Sequence, residues 1–174
     1  MNEIRILQNG EVFPGVTAVL QSYNIQMKGE IRMVLEKFKT RYCRAVEEAY
    51  CRGNIDAVDD LYAPDVIIHQ PPFPDINGLD EYKQHVIDSR KSYSDIRFEW
   101  EEMIGEGNTM AFRSTWYMKH TGESQRIPVQ PTGQELVMKG GLFVHLKDDR
   151  IVEVFEYKNY LGFLQQLGVI KPFH

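Results

Sequence analysis

From residue 96 to residue 159 the chain reads as four consecutive strands, and this block limits the fold more than any other feature. The runs are Ile96–Ile104, Met110–His120, Leu136–Leu146 and Ile151–Asn159. Gly105-Glu106-Gly107-Asn108 joins the first pair and Lys147-Asp148-Asp149-Arg150 the second, both turn-forming sequences. Ahead of the block lie helices. Between Glu30 and Tyr50 the apolar residues Ile31, Val34, Leu35, Phe38, Tyr42, Val46 and Ala49 recur every three or four positions, which marks one face of a long helix. A shorter helix, Ile55 to Tyr62, stops before Pro64; a short strand, Val66–His69, and a proline loop, Gln70 to Pro74, follow. A third helix runs from Leu79 to Lys91, and Tyr160–Leu167 closes the chain as a short helix stopped by Gly168. Helices first and a strand meander afterwards give an α+β fold, not alternating βαβ units.

The strands carry bulk on both faces: Phe112, Trp116 and Met118 on one parity, Arg113, Thr115 and Tyr117 on the other. Such a sheet needs two covers. Helices supply one and enclose a cavity; a second copy of the chain, in a homodimer, supplies the other. Gly140-Gly141 inside a strand predicts a bulge or bend that curls the sheet around the cavity. With 174 residues, the chain holds one domain, 29–174. Residues 1–28 read as an N-terminal arm or hairpin, with Ile4 and Ile6 alternating ahead of an Asn9-Gly10 turn.

Twenty basic and 25 acidic residues leave a net charge of -5, which argues against nucleic acid or an anionic membrane as partner. No apolar stretch approaches the ~20 residues of a membrane span. The Met1-Asn2-Glu3-Ile4-Arg5 start shows no basic segment followed by an apolar run, so a cytoplasmic location is expected. Cys43 and Cys51 lie eight residues apart on one helix, about 12 Å along its axis, which is too far for a disulfide. No histidine pair has metal-ligand spacing, and neither a P-loop, a dinucleotide fingerprint nor a nucleophile elbow is present; no metal and no cofactor are expected.

Several short motifs, in order, carry a resemblance. They are Asn54…Leu61-Tyr62-Ala63-Pro64-Asp65-Val66-Ile67-Ile68-His69, Gly78 before the third helix and Ser94-Asp95-Ile96 before the first long strand. Lys119-His120-Thr121-Gly122-Glu123, Pro131-Thr132-Gly133, Asp149-Arg150-Ile151-Val152-Glu153 and Leu164-Gln165-Gln166-Leu167-Gly168 complete the set. From Gly29 to Ile170 the chain resembles the SnoaL-like polyketide cyclases, within the superfamily that shares the nuclear transport factor 2 fold. The resemblance implies a cone: a curved, mostly antiparallel sheet wrapped by three helices around an apolar pocket, often dimeric. It also implies cofactor-independent ring closure on a hydrophobic, carbonyl-bearing small molecule, by acid/base chemistry, as a cyclase or isomerase.

In that family the proton-exchanging group is an aspartate four residues after a tryptophan near the end of the last strand. Here those places hold Phe155 and Asn159. An amide cannot serve as a general acid or base, although it can polarise a carbonyl. Asn159 is equally a good N-cap for the last helix. The alternative is therefore a non-catalytic small-molecule-binding module. Glu153 is the first substitute, since alternation places Glu153, Phe155, Tyr157 and Asn159 on one face. The resemblance implies that this is the pocket face, being the parity of the family's aspartate, and an apolar pocket would raise the carboxyl pKa; pairing with Arg113 is the structural reading of Glu153. His69 and His120 are further candidates for proton transfer, each with a structural reading at a strand end. His145 lies on the parity opposite Leu142 and Val144, and its direction is left open. Arg113, Trp116, Phe143, Phe155 and Tyr157 are the expected ligand-binding wall.

Overall fold

The computed structural model describes residues 36–173. The chain divides into two compact units, Met1–Phe38 and Lys39–His174, and the architecture below is that of the second. The expected N-terminal hairpin lies outside the described residues.

Within this unit helix α1 covers residues 39–47, the described helix beginning at residue 36, and it ends in a π-helical turn, Glu48–Arg52. Gly53 stops it in the left-handed region (φ 81°), where its N–H donates to the Glu48 carbonyl. The Arg90 guanidinium donates to the Tyr50 carbonyl, so a neighbouring helix satisfies an acceptor that the wide turn leaves over. In place of the expected second helix there is only a 3-10 turn, Ile55–Val58. The chain then enters β1, Tyr62–His69, four residues earlier than the sequence indicates. Pro64 is tolerated there because the parallel pairing with β6 skips from Tyr62 to Ile67. Strand β2 (Ile76–Asn77) leads through Gly78 into α2 (Leu79–Ser92). Strands β3 (Tyr93–Glu106), β4 (Thr109–His120), β5 (Glu135–Lys147) and β6 (Arg150–Lys158) form the meander, and α3 (Tyr160–Gln166) follows.

The six strands lie in the order β2-β1-β6-β5-β4-β3, with only β1 and β6 parallel. An α+β fold with a mostly antiparallel open sheet therefore stands as the sequence indicates. One sheet face carries the cross-strand rows Phe112–Leu142–Glu156, Ser114–Gly140–Lys158 and Trp116–Met138. This inner face meets the helices. Met118, Leu136, Met138, Phe163 and Leu167 are buried together with Ile127, the last contributed by the long segment between β4 and β5. The opposite face carries Ala111–Phe143–Phe155 and Arg113–Gly141–Tyr157.

Two expectations about the strands need correction. Gly140-Gly141 is not a bulge: pairing with both neighbours continues through it without slippage. Instead, a Cβ on Gly140 would lie 2.8 Å from the Tyr157 carbonyl oxygen and 3.0 Å from Lys158 Cγ. The residue is glycine because the β6 backbone and the Lys158 side chain cross over it. The real slip falls between the His145–Glu153 and Leu146–Ile151 pairs, one step on β5 against two on β6. An extra residue in a strand reverses the parity beyond it. Glu153, Phe155 and Tyr157 share one face of β6, as alternation requires, but it is the outer face and not the pocket face expected from the position of the family's aspartate; Val154, Glu156 and Lys158 point inward.

Among the described residues no helix is long and apolar enough to cross a membrane. Cys43 and Cys51 are both free thiols, as their spacing requires. Gly140→Ala is expected to cost ~1–3 kcal/mol of stability through overpacking, read as a lowered urea midpoint with an unchanged slope.

Candidate functional site

Between the inner sheet face, α2 and α3 lies a cavity of about 290 Å³. Trp116, Met118, Met138, Ile96, Ile76 and Phe163 make its apolar wall. Aromatic packing fixes the wall: the Trp116 ring meets Phe98 at 4.5 Å and Tyr50 at 5.2 Å, both edge-on. Behind it, sharing Tyr50, Ile76, His85 and Trp116, is a second pocket of about 20 Å³ bounded by Tyr42, Tyr62, Tyr82 and Glu156. The Tyr62 and Tyr82 hydroxyls are 3.3 Å apart. Burial is the chief reason that all four phenols are pushed above their ordinary value, Tyr82 to about 12. They remain neutral donors.

Three cationic or titratable groups converge on this apolar space. Lys158, the last residue of β6, is 10 % exposed and lies 2.8 Å from Glu156 Oε1, itself 13 % exposed. Its ammonium sits 4.1 Å from the centre of the Trp116 ring, a cation–π contact made possible by the bare backbone of Gly140. Burial alone would push the Lys158 pKa down. The Glu156 carboxylate, with a contribution from Tyr160, more than offsets this, and the net shift is upward, so the side chain stays an ammonium.

His85, on α2, behaves oppositely. Tyr82 and Val86 turn into the core from the same helix, and His85 lies between them in sequence with its ring on the cavity. Burial first, then the charges of Arg126 and Lys158, push its pKa from 6.5 to about 3; Asp88 opposes this weakly. The imidazole is therefore neutral and keeps an acceptor nitrogen.

Arg126 comes from the segment between β4 and β5. Its Nη1 donates to Gln70 Oε1 at 2.6 Å, and its guanidinium lies 5.3 Å from the Phe73 ring centre. Gln70 is 1 % exposed and is held in turn by the Pro74 carbonyl, 3.0 Å away. The proline loop thus acts as a platform for a cavity residue.

Of the residues singled out from sequence, only Trp116 lines the cavity. Glu153 lies on the opposite sheet face, 2.7 Å from His145 Nδ1 and 3.4 Å from His69 Nε2. Those imidazoles hold its carboxyl below the ordinary value, contrary to the raised value expected of an apolar pocket. Its expected partner Arg113 instead meets Glu101 at 3.0 Å and Glu102 at 3.6 Å. His69 also bonds Asp75 at 2.8 Å and stacks on Phe155 at 4.6 Å. His145, whose direction the sequence left open, therefore belongs to this outer cluster.

Phe143 and Tyr157 are 50 % and 56 % exposed on that same outer face. His120 is buried, and its Nδ1 accepts the Thr132 backbone N–H at 3.3 Å, pinning the β4–β5 segment. Asn159 caps α3, its Oδ1 accepting the Gly162 N–H at 2.9 Å. The cavity groups that sequence reasoning missed are His85, Glu156, Lys158 and Arg126. The alternation of Glu156 with Lys158 is a usable signal for two of them, overridden by taking the pocket face from the position of the family's aspartate. His85 could have been found as the residue three positions after Tyr82 on the α2 face.

The described residues include no group of three or more His, Cys, Asp or Glu side chains arranged to hold a metal ion. Residues 40–167 match the family of SnoaL-like polyketide cyclases. No curated protein matches by sequence. Solved structures with the same fold include TsrD from Streptomyces laurentii, at 16% identity and TM-score 0.68, covering 80% of this chain and 98% of TsrD. AclR from Streptomyces galilaeus, described as a candidate hydroxylase, is 21% identical with TM-score 0.68 over 80% of this chain and 86% of its own. A candidate polyketide cyclase from Acidithiobacillus ferrooxidans is 23% identical, with TM-score 0.66 over 76% and 94%. The cone of curved sheet and helices is common to them, and the sequence match spans nearly all of it. The chain belongs to the SnoaL-like polyketide cyclase family.

Proposed function

We propose that this protein catalyses proton transfer next to a carbonyl group, leading to ring closure or isomerisation of a hydrophobic small molecule inside the cavity, without a metal or organic cofactor. The observation that carries this reading is the pairing of a charged lysine with a neutral histidine in one apolar space. Abstraction of a proton beside a ketone needs a base and a positive group at the oxygen where charge develops. His85 supplies the acceptor nitrogen and Lys158 the N–H donors. As the C–H bond breaks, the proton passes to the imidazole and the electron pair moves to the oxygen held by Lys158. Negative charge forming there strengthens His85 as a base, because it offsets the cations that hold the imidazole neutral. Attack of the enolate carbon on a second carbonyl then forms the C–C bond, and the new alkoxide recovers the proton from His85. Asn159, committed to the helix cap, is left out of this chemistry.

The outer sheet face, where Phe143, Tyr157 and Ile67 are exposed, is the surface we assign to a second copy of the chain.

With 2-tetralone as probe, deuterium exchange at the activated methylene, followed by NMR, should exceed the buffer rate. Lys158→Met should lower it ~100–1000-fold, the usual loss for an oxyanion donor, and His85→Gln by at least ~100-fold. Binding without accelerated exchange would favour the non-catalytic module instead. The stability of the fold should also report on His85. Its pKa is lowered on folding, so the unfolded chain binds the proton first and stability falls as pH drops below about 6.5. Between pH 6.5 and 5 the wild type should lose up to ~1.4 kcal/mol per pH unit more than His85→Gln, measured by urea unfolding. Phe143→Glu should shift the protein toward monomer in sedimentation velocity.

A further inference from the structure

We propose that the cavity selects a ligand bearing a carboxylate, and that the Arg126 guanidinium is the group that receives it. The inference rests on the cavity being the ligand site, and adds the substrate class. Arg41, Arg52, Arg113 and Arg150 each meet a carboxylate. Arg126 meets none among the described residues. Its two fixed partners, Gln70 and the Phe73 ring, are uncharged, and together they hold the guanidinium at the cavity wall. One N–H goes to Gln70 Oε1, which leaves most of a five-donor fork for a ligand. That fork matches a carboxylate through two parallel hydrogen bonds.

The other charged groups of the lining have partners of their own, although that of Glu81 is a neutral N–H. Lys158 is balanced by Glu156 at 2.8 Å. Glu81 accepts the Asn77 N–H at 2.8 Å, and Asp88 is held by Lys91 at 2.9 Å and Gln84 at 3.0 Å. Arg126 is the cavity cation that has no carboxylate partner among the described residues. The volume of about 290 Å³ lies at the small end of ligand sites, so the body between carboxylate and reacting carbonyl amounts to one or two rings.

Binding there also has a consequence for the base. The Arg126 charge is one of the influences that keep His85 at about 3, so a carboxylate seated on Arg126 raises His85 toward the range of a useful proton acceptor. A neutral ester of the same compound lacks this additional effect.

The test compares 2-naphthoate with its methyl ester and with 2-acetonaphthone, by calorimetric titration of the full chain. The acid should bind at least ~10-fold tighter than either neutral compound at low salt, and Arg126→Gln should abolish that preference while leaving ester binding within about threefold. Equal affinity of acid and ester for the wild type, or a preference that survives Arg126→Gln, would overturn the proposal. If the variant does not fold, the wild-type comparison of acid with ester decides alone. Binding of none of the three removes the cavity as the ligand site together with this inference; neutral binding alone removes only the carboxylate.

Discussion

The ion pair of Lys158 with Glu156 is the constraint around which the inner face is arranged. Two opposite charges, two residues apart on one strand, are taken out of water and held at 2.8 Å. Removing either partner leaves a lone buried charge, which ordinarily costs 3–5 kcal/mol. Hydrophobic replacements of buried ion pairs are often neutral or stabilising, so stability is a poor account of the charge here. The neighbours are shaped to keep it: Gly140 gives the side chain its path and Trp116 a negative ring face to lie on. Tyr50 and Phe98 brace that ring edge-on. A permanently positive tip in an apolar space is what the proposed role of Lys158 at a developing negative charge requires.

The same field sets the character of the histidine. Lys158 and Arg126 both repel a proton from His85, and burial denies that proton its hydration. Lysine and histidine thus exchange their usual habits in this cavity: the group that commonly loses its charge on burial keeps it, and the group that commonly titrates near neutrality does not. The phenols behind them stay protonated for the same dielectric reason.

The order of elements was legible because it depends on local signals: glycine turns, helical periodicity and the long alternating runs of residues 96–159. Faces were less so. Alternation groups Glu153 with Phe155 and Tyr157, as the structure has them, but does not say which face of the strand meets the helices. The place of the family's aspartate points to the face of Glu153, Phe155 and Tyr157 as the pocket wall, whereas the helices cover the other face; on β4, Trp116 lies inward and Arg113, also expected in the wall, outward. Asn159 shows the complementary case. Its capping role follows from the residue and its neighbour alone, and the structure has that hydrogen bond. His85, Arg126 and Gln70 could not be connected from sequence, since what unites them is the approach of a helix, a loop and a proline turn distant along the chain.

The ammonium over the Trp116 ring gives the protein an optical property. An indole with a positive charge 4.1 Å from its face has its excited state perturbed by that charge. The other tryptophan, Trp100, stacks on Phe98 and donates to Glu47, outside the cavity lining. Whatever enters and draws the lysine toward itself changes the field on one tryptophan and leaves the other as it was. Occupancy of the cavity is therefore written into the emission of the unlabelled protein.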